Sequence, residues 1–220
     1  MRICFVSRGR ISECKEREEF ENADLILFGF DGIGEVSYEK ELKGESGYFQ
    51  ELATLSGKEK NLVLCGCVTD TRGHKRKSAV VAENGRILGV SDMLNVIDGE
   101  VGSGASLRVY DTKIGKVGVA VADDLNFPET VKALAVCGSD YIVCPFGGVM
   151  DCLQTVLLRA YAYCYGVPIF FCGIGYSMIA DVSGNIAFAS PQSVVATNFE
   201  NVREYHLIET RRRGFYRPSI

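Results

Sequence analysis

The residues best suited to chemistry lie in one short stretch, Gly115–Glu129, which reads GKVGVAVADDLNFPE. An apolar run there ends at Ala122, two aspartates follow, and a Pro-Glu pair then begins a helix. A buried strand that turns into a helix is a common place for reactive side chains, because backbone N–H groups stabilise charge there. The Asp123 carboxylate could serve in acid–base chemistry or bind a divalent cation, whereas Ala122 carries no reactive group.

Cysteines and basic residues offer further candidates. Cys144 ends an apolar run before a proline, and we interpret it as a packing residue, with a nucleophile as the alternative, because no histidine lies near it in sequence. Cys65 and Cys67 share one face of a predicted strand, which favours packing over a soft-metal site. The basic stretches 72–77 and 211–213 are interpreted as a solvated turn and a tail that could pair subunits, with phosphate or nucleic-acid binding as the alternative.

Composition limits the class of protein. A chain of 220 residues with 47% hydrophobic residues predicts one well-buried α/β domain over residues 1–220, and its net charge of −4 argues against nonspecific nucleic-acid binding. No apolar run reaches about 18 residues, so we expect no membrane span and no association with a membrane. Nine cysteines, several inside apolar runs, predict a reducing cytoplasmic location, and two histidines leave little room for a metal site.

The elements that must position these residues alternate between strands and helices. Apolar runs predict strands at Arg2–Ser7, Asp24–Phe28, Asn61–Thr69, Lys77–Ala82, Arg86–Val90, Leu107–Asp111, Lys116–Val121, Tyr141–Cys144, Ile169–Cys172, Ser177–Ala180, Ile186–Ala189, Val194–Thr197 and Tyr205–Ile208. Helices are predicted around Glu51–Leu55 and over Pro128–Cys137 and Cys152–Tyr165, with at most a short surface helix within Ile11–Asn22. The pair Asn84-Gly85 predicts a tight hairpin. Because many strands are apolar on both faces, the pattern predicts a mixed sheet system with helices outside it.

Four segments together resemble the carbon–nitrogen hydrolase (nitrilase) superfamily along nearly the whole chain. They are ADLILF at 23–28, NGRILGV at 84–90, DTKIGKVGVAVADDLNFPE at 111–129, and Arg159-Ala160 followed by the GYS of 175–177 through Gly184. The closing segment 211–216 is also similar to the family's tail. The resemblance implies an α/β fold, a single-domain four-layer α-β-β-α sandwich with two sheets packed face to face. It also implies a homodimer paired through outer helices and the C-terminal region.

The resemblance further implies that the family's reactive residues are replaced in this chain. Family members use a cysteine nucleophile, a glutamate base and a lysine that stabilises an oxyanion. The glutamate position falls on Phe30, the lysine position on Met93 and the cysteine position on Ala122, and a further family glutamate falls on Cys164. Phenylalanine cannot accept a proton, methionine cannot donate a hydrogen bond to an oxyanion, and alanine cannot attack a carbon. The first three positions would form an apolar patch where charged groups would otherwise need partners.

We therefore expect a family member that is inactive toward amides and nitriles and that binds a small molecule or a partner, or assembles with itself, without cofactor or metal. The alternative is a small-amide or nitrile hydrolase with a rearranged set of residues. Its candidates are Asp31, Asp92 and Asp123 beside the replaced positions, and Cys144 near the same rim. Neighbours on a strand point to opposite faces, which favours carboxylates that point away from one site. A gene product without selected activity is a third hypothesis.

Overall fold

The computed structural model describes residues 1–14, 17–58, 60–97, 99 and 101–201. Within these residues the chain forms thirteen strands and five α-helices, with 3-10 turns at Glu18–Phe20 and Ala122–Asn126. The strands are β1 (Arg2–Val6), β2 (Leu25–Phe28), β3 (Glu35–Ser37), β4 (Leu62–Thr71), β5 (His74–Glu83), β6 (Arg86–Asp92), β7 (Val109–Thr112), β8 (Gly115–Val119), β9 (Tyr141–Pro145), β10 (Ile169–Gly173), β11 (Tyr176–Ala180), β12 (Ile186–Ser190) and β13 (Val194–Asn198). The helices are α1 (Ile11–Cys14), α2 (Tyr38–Lys43), α3 (Tyr48–Lys58), α4 (Pro128–Val136) and α5 (Cys152–Tyr165).

The strands form two sheets, and each sheet has parallel strands in its middle. One sheet has the order β13-β1-β2-β4-β5-β6, with β3 paired to β4, and the other has the order β12-β11-β10-β9-β8-β7. Three parallel strands occupy the middle of each sheet, β1, β2 and β4 in the first and β8, β9 and β10 in the second. The carboxyl ends of both sets lie at one end of the molecule, because Phe30, two residues after β2, contacts Gly147, two residues after β9. We call this end the carboxyl edge.

Side-chain alternation along the strands produces the layers. On β4, Leu62 and Leu64 face the second sheet, whereas Val63 and Cys65 face the cluster that includes residues of α1 and α3. A third cluster lies between the second sheet and helices α4 and α5. Two sheets packed face to face between outer helices confirm the predicted α-β-β-α sandwich.

Most predicted elements agree with the observed ones to within two or three residues. The Asn84-Gly85 pair has φ values of 51° and 81°, which is the left-handed conformation that a type I′ hairpin between β5 and β6 requires. Cys65, Cys67, Cys144 and Cys172 are fully buried, as their apolar surroundings predict. The predicted strand Tyr205–Ile208 and the segment 211–216 lie outside the described residues.

Three predictions about local structure were wrong. Residues 74–77 belong to β5 and not to an exposed turn, because the hairpin that joins β4 to β5 contains only Arg72 and Gly73. Strand β3 and helix α2 were not predicted, since both are short and polar. The helical spacing of Cys152 and Cys164 predicts packing residues, but both are exposed on α5. Among the described residues, none of the helices is both long and apolar enough to span a membrane.

Candidate functional site

The turn after β8 is the centre of the carboxyl edge. Ala122 has a φ of 48° and is only 1% exposed, so its methyl group lies in the core between the sheets. A residue with a Cβ rarely adopts this left-handed conformation, which costs about 1–2 kcal/mol. Such strain is typical of sites where a fold must hold one residue in a defined position. Ala122 is the first residue of the 3-10 turn, and α4 follows that turn at Pro128.

Asp124 fixes this turn to the chain that follows β6. Its carboxylate accepts hydrogen bonds from the Leu94 and Asn95 N–H groups at 2.8–3.1 Å, from the Asn95 amide at 2.9 Å, and from the Val121 N–H at 3.4 Å. Burial raises the pKa of the Asp124 carboxyl, and these hydrogen bonds oppose the rise. These hydrogen bonds tie the turn to the chain after β6, so the structure gives Asp124 a positioning role.

Met93 lies beside the turn and is completely buried in the same core as Ala122. Its backbone N–H donates to the Lys77 carbonyl at 2.8 Å, and its carbonyl accepts from the Gly104 N–H at 2.7 Å. The thioether side chain therefore contributes packing and no strong hydrogen-bond donor to this region.

Phe30 covers the carboxyl edge from the other side. Its half-buried ring lies directly on Gly66 of β4, where an added Cβ would stand 2.6 Å from Cδ2, and it faces Gly147 at 3.6 Å. Because Gly66 has no side chain, the Phe30 ring can occupy the space beside it. The ring thereby lies between Gly66 of the first sheet and Gly147, which follows β9 of the second sheet. Phe30, Met93 and Ala122 all pack in or against one apolar cluster.

The candidate carboxylates are not brought together. Asp123 forms an ion pair with Lys77 at 2.8 Å, whereas Asp92 accepts a hydrogen bond from Ser78 at 2.7 Å. Lys77 and Ser78 are neighbours on β5 and point to opposite faces of its sheet, which separates the two carboxylates. Asp31 is exposed to solvent. The described residues contain no group of three His, Cys, Asp or Glu side chains arranged to hold a metal ion.

Cys144 lies on β9 and faces the helix layer, not the core that contains Ala122. It is fully buried, and burial raises the pKa of its thiol well above the usual range, with the Asp124 and Asp123 carboxylates adding to the rise. The thiol is therefore protonated at neutral pH, which is a poor state for a nucleophile.

Two features at this edge were not predicted from the sequence. Lys77 points into the space between the sheets and forms an ion pair with Asp123. Because it belongs to a basic stretch, the sequence predicts a solvated position for it instead. A cavity of about 490 Å³ opens beside Arg8, after β1, and the start of α5. The residues that line it come from three separate segments, so no local sequence signal marks it. They are Arg8, Val149, Met150, Asp151, Cys152, Thr155, Ile174, Gly175 and Tyr176.

Comparisons with known proteins agree with this architecture. The sequence model of the carbon-nitrogen hydrolase family matches residues 23–199. A probable nitrilase of Schizosaccharomyces pombe is 25% identical over 129 residues, which cover 54% of this chain and 47% of that protein. The chain thus matches about half the length of that curated relative.

Solved structures of an amidase from Nesterenkonia, a member of the nitrilase superfamily, share the fold. One variant superposes with a TM-score of 0.75 at 18% identity, covering 90% of each chain. Another, with acrylamide added to the active-site cysteine, has a TM-score of 0.76 at 17% identity and covers 91% of this chain and 93% of that one. At these identities the likeness shows the fold alone. Because the family model matches most of the length of this chain, the chain belongs to the carbon-nitrogen hydrolase family.

Proposed function

We propose that this chain is a family member that does not hydrolyse amides or nitriles and that acts by binding a small molecule or a protein partner, including a second copy of itself. The observation that carries the proposal is Ala122. A buried alanine occupies the strained turn after β8, where the resemblance places the nucleophile. Without a lone pair at this position, no covalent intermediate can form there.

The surroundings of Ala122 support the same conclusion. Met93 is completely buried and the Phe30 ring lies across the edge, so polar groups that could move a proton or stabilise an oxyanion are replaced by apolar ones. In the Nesterenkonia amidase, acrylamide reacts at an active-site cysteine. The proposal is that this chain keeps the scaffold of such enzymes and has lost the reacting groups.

A rearranged catalytic set receives less support from the geometry. Asp123 forms an ion pair with Lys77, and Asp92 lies on the opposite face of the sheet that contains Lys77. Asp31 is exposed. The buried Cys144 faces away from the core of Ala122. A hydrolase needs a nucleophile and a base within hydrogen-bond reach of one reacting carbon, and these four residues do not supply such a pair.

The outer face of α5 supports self-association. Leu153 and Val156 are 51% and 60% exposed, and Ala160 continues the same stripe one turn further on. The helix buries its other side, including Gln154 and Leu158, against the sheet. An apolar stripe left on the surface favours a partner. We infer that a second copy covers it, giving a homodimer, and a cytoplasmic location is part of the same proposal.

Activity assays test the proposal directly. We expect ammonia release from butyramide at the rate of a buffer control, for the wild type and for Ala122→Cys, because the cysteine alone would lack a base and an oxyanion donor. Thiol titration under denaturing conditions verifies the added cysteine, and circular dichroism verifies the fold. Ammonia release by the wild type at enzyme-like rates would overturn the proposal.

A further inference from the structure

The cavity beside α5 holds the clearest recognition group outside the positions already discussed. It has a volume of about 490 Å³, and neither Phe30, Met93 nor Ala122 lines it. Its wall combines the Arg8 guanidinium with apolar side chains such as Met150 and Ile174. A small molecule with one charged end and one apolar end fits this combination.

The guanidinium group of Arg8, an exposed residue, lies against the backbone of Gly175. An added Cβ at Gly175 would stand 2.9 Å from Nε and 3.0 Å from Cζ, so the guanidinium group lies against the glycine. Gly175 also has a φ of 67°, which residues with a side chain rarely adopt, and its N–H donates to the Ser7 carbonyl at 3.2 Å. Both properties make this position suited to glycine, and the missing side chain leaves the space that the arginine occupies beside the cavity.

The guanidinium group has no acidic partner in the part of the chain that the structure describes. The nearby start of α5 does not compete for an anion, because Asp151 already accepts the Leu153 N–H at 2.7 Å and the Gln154 N–H at 3.4 Å. Arg8 is therefore the group that selects charge here. Since the Asp151 carboxylate also lines the cavity, a single negative charge suits the site better than a polyanion.

We propose that this cavity binds a small monocarboxylate, with its carboxylate on Arg8 and its short apolar part against Met150 and Ile174. An arginine guanidinium matches a carboxylate with two parallel N–H donors. The inference rests on the proposed binding function and names the site and the ligand class.

An exposed thiol in the cavity wall allows a direct test. Cys152 lines the cavity, and Cys137 is also exposed but lies at the end of α4, outside the cavity. Iodoacetate and iodoacetamide have nearly the same size and differ in charge. We expect the ratio of their alkylation rates, iodoacetate over iodoacetamide, to be roughly threefold higher at Cys152 than at Cys137, because Arg8 attracts the carboxylate. Quantitative peptide mass spectrometry measures both sites in one sample.

Two variants make the test specific. Arg8→Gln should lower the Cys152 ratio to that of Cys137, whereas Arg10→Gln, an equal charge change at an exposed residue outside the cavity, should leave it high. In the wild type, butyrate should slow iodoacetamide labelling of Cys152, and the isosteric butyramide should do so less. Equal ratios at both cysteines, an equal effect of the two arginine variants, or a Cys152 that reacts with neither reagent would overturn the inference. Ammonia release from butyramide tests the proposed function separately.

Discussion

The fit of the Phe30 ring onto Gly66 can be tested by adding one methyl group. In Gly66→Ala the new Cβ would lie 2.6 Å from Cδ2 and 2.8 Å from Cε2 of Phe30, and 3.1 Å from Cβ of Pro145. Overpacking of this kind lowers the free energy of unfolding by about 1–3 kcal/mol. Replacing glycine by alanine also lowers the conformational entropy of the unfolded chain, which raises the free energy of unfolding by about 0.4–1 kcal/mol. We expect a net loss of about 1–2 kcal/mol in the free energy of unfolding, with a decrease in Tm of roughly 4 °C.

A double-mutant cycle assigns that loss to the ring. Urea denaturation of the wild type, Gly66→Ala, Phe30→Ala and the double variant gives the four free energies of unfolding. Because Phe30→Ala removes the atoms with which the methyl group would collide, the cost of Gly66→Ala should nearly disappear in that background, with a coupling energy of about 1–2 kcal/mol.

Gly147 supplies a matched control for the same ring. An added Cβ there would lie 3.6 Å from Phe30, which is an ordinary contact, so Gly147→Ala should change stability by less than about 0.5 kcal/mol. If Gly66→Ala and Phe30→Ala prove additive within about 0.5 kcal/mol, the ring does not occupy the position described, and the covered carboxyl edge loses its main support.

Four further predictions concern other parts of the molecule. A double variant Leu153→Lys and Val156→Glu should be monomeric by light scattering while the wild type is a dimer, and a monomeric wild type would contradict the inferred pairing. Asp124→Ala should lower the free energy of unfolding by about 2–4 kcal/mol in urea, because it leaves buried N–H groups without an acceptor. Burial raises the pKa of Asp124 in the folded state above its value of about 3.9 in the unfolded chain. The free energy of unfolding should therefore fall as the pH rises from about 3.9 through the raised folded-state pKa. Asp124→Asn should remove this slope, and an unchanged slope would be the contrary result. The Cys144 thiol, with its raised pKa, should resist iodoacetamide in the native protein at pH 8 and react in urea, and labelling as fast as that of Cys137 would refute its burial.

The mixed sheets with outer helices were predictable because the interior strands are apolar on both faces, whereas the four-layer order came from the resemblance to the family. Runs such as that of β4 are apolar on both faces, and only a strand covered by a sheet and by helices satisfies that pattern. Strand β3 has no such pattern, since Glu35 is exposed and Val36 is its one buried residue, and it exists through pairing with β4. Pairing of this kind depends on distant residues and leaves no local signal.

The site was less predictable than the fold. The sequence identifies Ala122 because its flanking residues are distinctive, but the contact between Phe30 and Gly66 joins positions 36 residues apart and depends on the space left by a missing side chain. For helix α5, the sequence does not show which apolar residues stay exposed in the single chain. Its apolar spacing predicts a buried face, and in the single chain Leu153 and Val156 of that face remain exposed.

The position of β1 also constrains how the chain acquires its structure. This strand pairs with β2 on one side and with β13 on the other, so Phe5 has a partner at Val195 that is synthesised far later. At roughly 5–20 residues per second, translation leaves one edge of β1 open for about 10–40 s. Contacts of such sequence separation slow folding and expose strand edges to aggregation. A truncation before Val194 would therefore leave a central strand without its neighbour, and we expect it to abolish folding of the whole sandwich rather than shorten it.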